Sequence, residues 1–425
     1  ALAINQIDIA AMMDDFGIGK MEKEKQSQSK FPESVFLDLD LKIKEIDYKD
    51  DSLRNFSTVL HADDNRLSIS DLEADLPFGK VRLNLEMDQY QNENITYRGA
   101  VRLDIDSLSV DRLMELEAFG IPGNRELMPQ PVKNAGKKET RAFPDNFTIG
   151  LTVKADYLAY RNAEIENLDL AIDYSPEKTD LKKLKFDFLD GIVDVYGHIS
   201  GGNGNSHPGY LYSKADELDI RTLFSSFDNF NQDKFTAENS SGKISWVSHY
   251  YFELGNSMVP VRNSNLWIMN INVHEAEFDR VEPIEKTLFF VGHKSKDKMM
   301  ISRLNINAML VRDKLYFRDV LMNDNISNLD VFGEVDLDDR SMDLGLEISL
   351  SDLFFRTKKR RIVQTEEGEV DLENDSKLFL NLSGPLTDHK LKLMSRRKFD
   401  KARDGLNREI RKAETAFRER QNRPE

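Results

Sequence analysis

FPESVFLDLDLKIKEIDYKDDSLRNF, residues 31–56, aligns without a gap with FPDNFTIGLTVKADYLAYRNAEIENL, residues 143–168. The match extends over residues 31–87 and 143–199, an offset of 112 residues. Because the offset is even, each residue of the second copy keeps the strand face of its equivalent in the first. The pattern predicts a duplicated β-structure, and chance similarity between two β-rich segments is the alternative. Identical pairs include Phe31 and Phe143, Leu39 and Leu151, Tyr48 and Tyr160, Asn55 and Asn167, and Gly79 and Gly191.

Three related segments predict short amphipathic helices between the repeats. Residues 7–18, IDIAAMMDDFGI, resemble residues 110–121, VDRLMELEAFGI, and residues 218–230, LDIRTLFSSFDNF, are a degenerate third version. Each has an aspartate near its start, a residue that is favoured as a helix N-cap. We predict no strand before the first of these segments, so we expect the chain to begin inside a larger array, with an upstream part missing.

Alternating apolar and polar residues predict half-buried strands throughout the chain. In VFLDLDLKI, which begins at Val35, every second residue is apolar, and VRLNLEM and IVDVYGHI follow the same rule. One face of each strand therefore carries the apolar side chains, which are candidates for core filling or for lining an open groove. They are Val35, Leu37, Leu39, Leu41, Val81, Leu83, Leu85, Ile149, Leu151, Val153, Val193, Val195, Leu329, Val331, Leu344, Leu346 and Ile348.

The repeats divide the chain into five predicted segments. Because stacked repeats share a continuous core, these segments need not be separate domains. Residues 1–30 are predicted to be the tail of an upstream repeat with a linker. Residues 31–142 form the first repeat with its linker, 143–240 the second repeat, 241–394 a C-terminal module, and 395–425 a charged amphipathic helix.

The C-terminal helix is predicted from about Ser395 to Gln421, because apolar residues recur there at spacings of three and four. They are Phe399, Ala402, Leu406, Ile410, Ala413 and Phe417. We expect this helix to cap the array. Two basic clusters lie nearby and predict either contact with anionic headgroups or an acidic partner, or solvated surface on an acidic protein. They consist of Lys358, Lys359, Arg360 and Arg361 and of Arg396 and Arg397.

Composition argues against several classes of function. The net charge of −16 disfavours nucleic-acid binding, which needs a basic face. The chain has no cysteine, and none of its seven histidines has another histidine three or four residues away, so we predict no metal site. His274 and Glu275 are neighbours in a predicted strand and point to opposite faces. We find no catalytic motif, and therefore predict a protein without enzymatic activity and without a cofactor.

The C-terminal half resembles a known family. The order of LDVFGEVDL (residues 329–337), DLGLEISL (343–350) and LNLSGPLTDHKLKL (380–393) resembles the AsmA-like C-terminal region of bacterial envelope proteins. Members from the Bacteroidota in particular are resembled by LDIRTLFSSFDNFNQDKFTAENSSGKISW (218–246), VHEAEFDRVEPIEKTLFF (273–290) and ISRLNINAMLVRDKLYFRDVLMNDNISNLDVFGEVDL (301–337). The wider superfamily includes TamB and the bridge-like lipid-transfer proteins. The resemblance covers most of residues 100–394 and rests on pattern and order.

The resemblance implies a mainly β protein whose repeated antiparallel sheet units form an elongated, curled, open groove. It implies a periplasmic protein anchored to the inner membrane by a missing N-terminal helix, which carries phospholipid or another acyl lipid along an apolar groove and supports outer-membrane integrity. Shielding an acyl chain from water is favourable by about 0.8 kcal/mol per methylene.

Two other functions remain open from the sequence. A scaffold could dock an outer-membrane barrel protein through its sheet edge or its C-terminal helix. A carbohydrate-binding surface protein would present aromatic residues on loops, but Trp246 and Trp267 lie in predicted strands.

Overall fold

The computed structural model is mainly β, and its mostly antiparallel sheet is open and accompanied by a C-terminal helix, as the sequence predicts. The chain divides into two compact units, one of residues 1–188 and 194–207, the other of residues 189–193 and 208–425. The structure describes residues 2–8, 36–48, 51–63, 66–88, 96–109, 146–160, 163–201, 206–231, 236–255, 259–279, 299–324, 328–349, 362–365, 368–371, 377–386 and 389–421.

The first unit contains ten strands in its described part. Alternating apolar residues and intervening turn sequences such as HADDN and SPEKTD produce this meander. The strands are β1 (Leu2–Asp8), β2 (Leu37–Tyr48), β3 (Asp51–Ala62), β4 (Arg66–Leu76), β5 (Gly79–Asp88), β6 (Thr96–Ser109), β7 (Phe147–Tyr160), β8 (Ala163–Ser175), β9 (Lys178–Phe188) and β10 (Gly191–Ser200).

Two strand pairs of the first unit are parallel, which the sequence analysis did not predict. Strand β1 runs parallel to β2, and β6 runs parallel to β7, whereas the pairs from β2 to β6 and from β7 to β9 are antiparallel. A parallel pair needs a long crossover connection, and the chain between the two strands of each pair, residues 9–36 and 110–146, is long enough to supply one. The parallel pairs therefore lie where one repeat meets the next.

Equivalent glycines show how closely the repeats correspond. Gly79 begins β5, and a Cβ added there would lie 2.2 Å from the carbonyl oxygen of Asp104. Gly191 begins β10, and a Cβ there would lie 2.2 Å from the carbonyl oxygen of Asp216. Both pairs are separated by the same 112 residues, and only glycine permits such close backbone approach. The five segment boundaries inferred from the repeat stay a prediction.

In its described part the second unit has strands, two α-helices and a short 3₁₀ helix (Asp228–Asn231). Its strands are β11 (Ser206–Asp219), β12 (Ser240–Gly255), β13 (Leu266–Phe278), β14 (Met299–Val311), β15 (Lys314–Asp324), β16 (Asn328–Asp336), β17 (Ser341–Ser349), β20 (Lys377–Pro385) and β21 (Lys390–Leu393). A separate hairpin consists of β18 (Ile362–Thr365) and β19 (Gly368–Asp371). From β12 to β17, then to β20 and β21, every neighbouring pair is antiparallel.

Helix α1 (Ile220–Ser226) confirms the helix predicted in the third related segment. Asp219 is its N-cap, and the carboxylate accepts a 2.8 Å hydrogen bond from the backbone nitrogen of Thr222. The bond satisfies one of the donors that a helix start leaves free. The two related helices, predicted in residues 7–18 and 110–121, lie outside the described residues except for residues 7 and 8, which belong to strand β1. The prediction that no strand precedes the first of these segments is therefore wrong, because β1 (Leu2–Asp8) lies there.

Helix α2 (Arg396–Gln421) agrees closely with the predicted C-terminal helix. Phe399, Leu406 and Ile410 are buried against the sheet, while Ala402, which we included in the apolar stripe, is exposed. Alanine is small enough to sit at the margin of a stripe without contacting the layer beneath it. The helix packs against one face of strands β15, β16, β17 and β20, rather than capping an end as we expected.

Candidate functional site

The first unit has one apolar face, which we define by three rows of side chains that cross its strands. Residues paired across neighbouring strands point to the same face of a sheet. The first row is Leu39, Leu60, Ile69, Leu85, Gly99, Ile149 and Tyr174. The second is Leu72, Leu83, Val101, Leu151, Ile172 and Leu181, and the third is Ala74, Val81, Leu103, Val153, Leu170 and Leu184.

Most of these side chains are only partly buried. Val153 is buried with Ile105 and Ala155 in a small cluster, whereas Leu83 and Leu151 remain partly exposed. Every regular element in the described part of this unit is a strand, so no described helix covers the apolar face. A face of this kind, with partly exposed leucines in continuous rows, can bind an apolar ligand.

The opposite face of the first unit is charged. One row across it alternates in sign over seven consecutive strands, so that each charge has opposite charges beside it. The row is Arg54, Asp75, Lys80, Asp104, Lys154, Asp169 and Lys185. Lys80 lies 3.4 Å from Asp75, and Arg82 donates to Asp104 over 2.6 Å. These charges make this face hydrophilic, and the apolar side chains lie on the opposite face.

The second unit also has an apolar face, again formed by rows across its strands. The central row is Trp246, Ile271, Ile306, Val320, Val331, Leu346, Leu380 and Leu393. A parallel row is Ile244, Val273, Leu304, Met322, Leu329, Ile348 and Leu378.

Helix α1 covers part of this second apolar face. Ile220 and Phe224 of the helix pack against Val273, Ile301 and Leu304 on β13 and β14. Farther along the same rows lies a separate cluster built around Leu346, Ile348 and Leu380, and no described helix residue belongs to it. Helix α1 therefore covers one end of the apolar face, and no described helix packs over β16, β17 and β20 on this face. Leu346, Ile348 and Leu380 on β17 and β20 are nevertheless buried, at 7%, 4% and 8% exposed.

The other face of the second unit, the helix face, is covered by α2. Phe399 packs edge-on against Phe332, with ring centroids 4.9 Å apart, and Ile410 is 1% exposed. Burying side chains of this size contributes roughly 1.5–3 kcal/mol each. Because α2 packs on the helix face, it does not cover the apolar face.

Most of the predicted site residues lie on strands of the two units, and two lie at the start of α2. In the first unit, Leu37, Leu39, Leu41, Val81, Leu83, Leu85, Ile149, Leu151 and Val153 lie on strands β2, β5 and β7, where Val153 is buried and Leu37 is 42% exposed. Val193 and Val195 lie on β10, flanked by exposed Ile192 and Tyr196. Leu329, Val331, Leu344, Leu346 and Ile348 lie together on the second apolar face. Arg396 and Arg397 are exposed at the start of α2. Val35, Lys358, Lys359, Arg360 and Arg361 lie outside the described residues.

An ion pair that the sequence analysis missed joins α2 to the sheet. Arg403 of α2 donates to Asp330 of β16 over 2.6 Å, and its guanidinium lies 4.9 Å from the centre of the Phe332 ring. Burial raises the pKa of Asp330 above its ordinary value, while the hydrogen bond from Arg403 opposes the rise. The two residues are 73 positions apart, so no local pattern could indicate the contact.

A cleft of about 630 Å³ lies on the helix face, where α2 approaches the turns after β12, β14 and β16. Its lining combines charges of both signs, such as Arg262 and Asp336, with apolar side chains such as Val261, Val311 and Phe417. The cleft therefore lies on the opposite side of the sheet from the apolar face and, unlike that face, carries charges.

Within the described residues no group of histidine, aspartate and glutamate side chains could hold a metal ion. None of the described helices is both long and apolar enough to cross a membrane.

Comparisons with protein-family models, with curated proteins and with solved structures found no match to this chain.

Proposed function

We propose that this protein binds lipid acyl chains on its apolar faces and acts without enzymatic chemistry. The observation that carries the proposal is the set of continuous apolar rows on the first unit, whose side chains are mostly partly exposed and are covered by no described helix. An acyl chain lying across the leucines would exchange water for apolar contact on both partners, at about 0.8 kcal/mol per methylene. Binding of this kind needs no cofactor and no energy source.

The cellular part of the proposal follows from the AsmA-like resemblance. We infer a periplasmic protein of the bacterial cell envelope that moves phospholipid between the inner and outer membranes and so supports outer-membrane integrity. The charged face supports this reading, because its paired charges keep one side of the sheet solvated while the other holds lipid.

Lipid in the purified protein tests the proposal. We expect an organic extract of the full chain to contain phospholipid that mass spectrometry detects. The substitution Leu151→Asp places a carboxylate in the middle of the second apolar row and should reduce the lipid content strongly, since a charge is poorly tolerated beside an acyl chain. Leu39→Asp should act in the same way.

Thr152→Asp is the matched control for Leu151→Asp. Thr152 is the next residue on the same strand, and its cross-strand partner on the opposite face is Arg102. We expect this variant to keep its lipid. Lipid-free extracts from folded wild-type protein, or equal losses from both variants, would refute the proposal.

The second candidate function is a scaffold that docks another envelope protein through its sheet edge. It is supported by β21, which pairs with β20 and with no other described strand. A scaffold predicts a folded protein without lipid, and therefore the opposite result in the same extraction.

A further inference from the structure

Strand β21 is where the apolar face of the second unit ends. The central row runs through Leu346 and Leu380 and finishes at Leu393, whose side chain is 78% exposed. Among the described strands only β20 pairs with β21, so no other described strand lies along its second edge. An exposed leucine at this position is unfavourable in water, and it is continuous with the proposed lipid-binding surface.

Basic side chains surround this leucine. Within residues 390–398, KLKLMSRRK, there are five basic residues and no acidic residue, in a chain whose net charge is −16. All five are exposed: Lys390, Lys392, Arg396, Arg397 and Lys398. The one ion pair present for them among the described residues joins Arg396 to Asp400 at 4.0 Å, which is a weak surface contact.

The position of three of these charges is unfavourable for the helix itself. Arg396, Arg397 and Lys398 occupy the first turn of α2, which contains no acidic residue. The N-terminus of a helix carries a partial positive charge, so cations there destabilise it. Among the described residues only the weak contact of Arg396 with Asp400 offsets this local cost, and a local cost of this kind is typical of a functional surface.

We propose that this corner, formed by β21 and the first turn of α2, docks onto the surface of a bilayer that contains anionic phospholipid. The five basic residues contact the headgroups, and Leu393 enters the boundary between headgroups and acyl chains. The lysine stems beside it lie along apolar surface while their ammonium groups stay at headgroup level. The docked edge then joins the apolar face to the lipid phase, so this inference rests on the proposed function and names where lipid enters or leaves.

A bilayer fits this surface better than an acidic protein. Protein interfaces are centred on buried aromatic or large apolar anchors. Leu393 is the sole large apolar residue that is exposed within residues 389–398, and the positive charges are spread around it rather than facing one pocket. Diffuse cations around a shallow apolar tip match a planar anionic surface.

Co-sedimentation of the full chain with vesicles tests the docking. We expect binding to vesicles of phosphatidylcholine mixed with phosphatidylglycerol, weaker binding at high salt, and little binding to phosphatidylcholine alone. The triple substitution Arg396→Gln, Arg397→Gln and Lys398→Gln should weaken binding by about a hundredfold, because each basic residue near an anionic surface contributes up to about fivefold.

Arg408→Gln, Arg411→Gln and Lys412→Gln provide the matched control, since these exposed residues lie farther along the same helix and the change in net charge is identical. This variant should bind the mixed vesicles within about threefold of wild type. Equal weakening of vesicle binding by both triple variants would overturn the proposal. Equal binding of the wild-type protein to vesicles with and without phosphatidylglycerol would overturn it as well.

Measuring the co-purifying lipid distinguishes the docking proposal from the proposed acyl-chain binding. The Arg396, Arg397 and Lys398 variant should keep co-purifying lipid, because it leaves the apolar face unchanged. Loss of vesicle binding with retained lipid therefore supports the docking proposal. Vesicle binding by a protein that never contains lipid would refute the proposed function while leaving the electrostatic docking in place.

Discussion

Asn55 donates a hydrogen bond of 2.6 Å from its side-chain nitrogen to Oδ2 of Asp75. The same bond, also 2.6 Å long, joins Asn167 to Asp187, and both residues of the second pair lie 112 positions after those of the first. Asn55 and Asn167 have left-handed backbones, with φ of 50° and 53°. A repeated residue in a repeated rare conformation indicates duplication more strongly than the sparse sequence identity does.

We predict that Asn55→Ala destabilises the protein more than Asn55→Gly, by about 1 kcal/mol. Both variants lose the hydrogen bond to Asp75, but glycine adopts the left-handed conformation freely while alanine does not. Urea unfolding should give the same order at Asn167. Equal effects of alanine and glycine at both sites would contradict the backbone argument.

The sequence was sufficient for features that depend on local pattern. The alternation in VFLDLDLKI predicts β2, and the spacing of Phe399, Leu406 and Ile410 predicts α2. It did not indicate that β6 pairs in parallel with β7, or that α2 lies on the helix face, because these depend on which distant surfaces meet. For the same reason, neither the Arg403 and Asp330 pair nor the alternating charges of the first unit could be foreseen.

The packing of α2 predicts a large effect of truncating its buried residues. Phe399 is 1% exposed and contacts both Phe332 and Phe379. We expect Phe399→Ala to lower the free energy of unfolding by about 3–5 kcal/mol. Ala402→Ser, on the exposed side of the same helix, should change it by less than about 0.5 kcal/mol. Similar small effects of both substitutions would show that α2 is not docked as described.

The ion pair between Arg403 and Asp330 predicts a pH-dependent effect. Arg403→Met should destabilise the protein by about 2 kcal/mol near neutral pH, less than for a fully buried pair because both side chains retain some exposure. The pKa of Asp330 is already raised by burial and should rise further without its partner. The destabilisation caused by Arg403→Met is therefore present above the pKa of Asp330 in the variant, where the carboxylate is charged, and disappears as the pH falls through that pKa.

Urea unfolding of wild type and Arg403→Met over the acidic range measures this dependence. In the double variant with Asp330→Asn no carboxylate remains at that position, so the cost should be smaller near neutral pH and independent of pH. A cost for Arg403→Met that stays constant down to acidic pH would contradict the electrostatic origin of the effect.

The hydrogen bond between His61 and Asp38 in the first unit predicts a raised pKa for His61. Nδ1 of His61 lies 2.5 Å from Oδ1 of Asp38, and this hydrogen bond raises the pKa of His61 above 6.5, against a smaller opposing effect of burial. A raised pKa means that the pair stabilises the fold below the pKa of the unfolded chain, and that this stabilisation is lost as the pH rises through the folded value. Asp38→Asn should therefore lower the pKa of His61.

NMR titration of the His61 ring in wild type and Asp38→Asn measures this shift. Asp40→Asn is the control, because Asp40 lies on the same strand and pairs with Val59 rather than with His61. We expect the control to leave the pKa of His61 nearly unchanged. A similar fall in both variants would indicate a general charge effect instead of the hydrogen bond.

Four asparagines on the helix face form a closed ring of side-chain hydrogen bonds. Asn270 donates to Asn307 (2.5 Å), Asn307 to Asn305 (3.1 Å), Asn305 to Asn272 (2.6 Å) and Asn272 to Asn270 (2.9 Å). Each amide donates one hydrogen bond and accepts one within the ring, so all four partly buried side chains have polar partners. Asn272→Asp removes a donor and sets its carboxylate against the Asn270 oxygen.

We expect Asn272→Asp to destabilise the protein by about 1–3 kcal/mol near neutral pH and to recover as the pH falls. Protonation restores a donor at position 272, so the introduced carboxyl should have a raised pKa in the folded state. The protonated carboxyl at position 272 then stabilises the fold at low pH, and this stabilisation is lost as the pH rises through its pKa in the folded state. Asn323→Asp, at an exposed position of β15, should show neither effect in urea unfolding. If Asn272→Asp unfolds at the same urea concentration as wild type throughout this pH range, the ring makes no net contribution to stability.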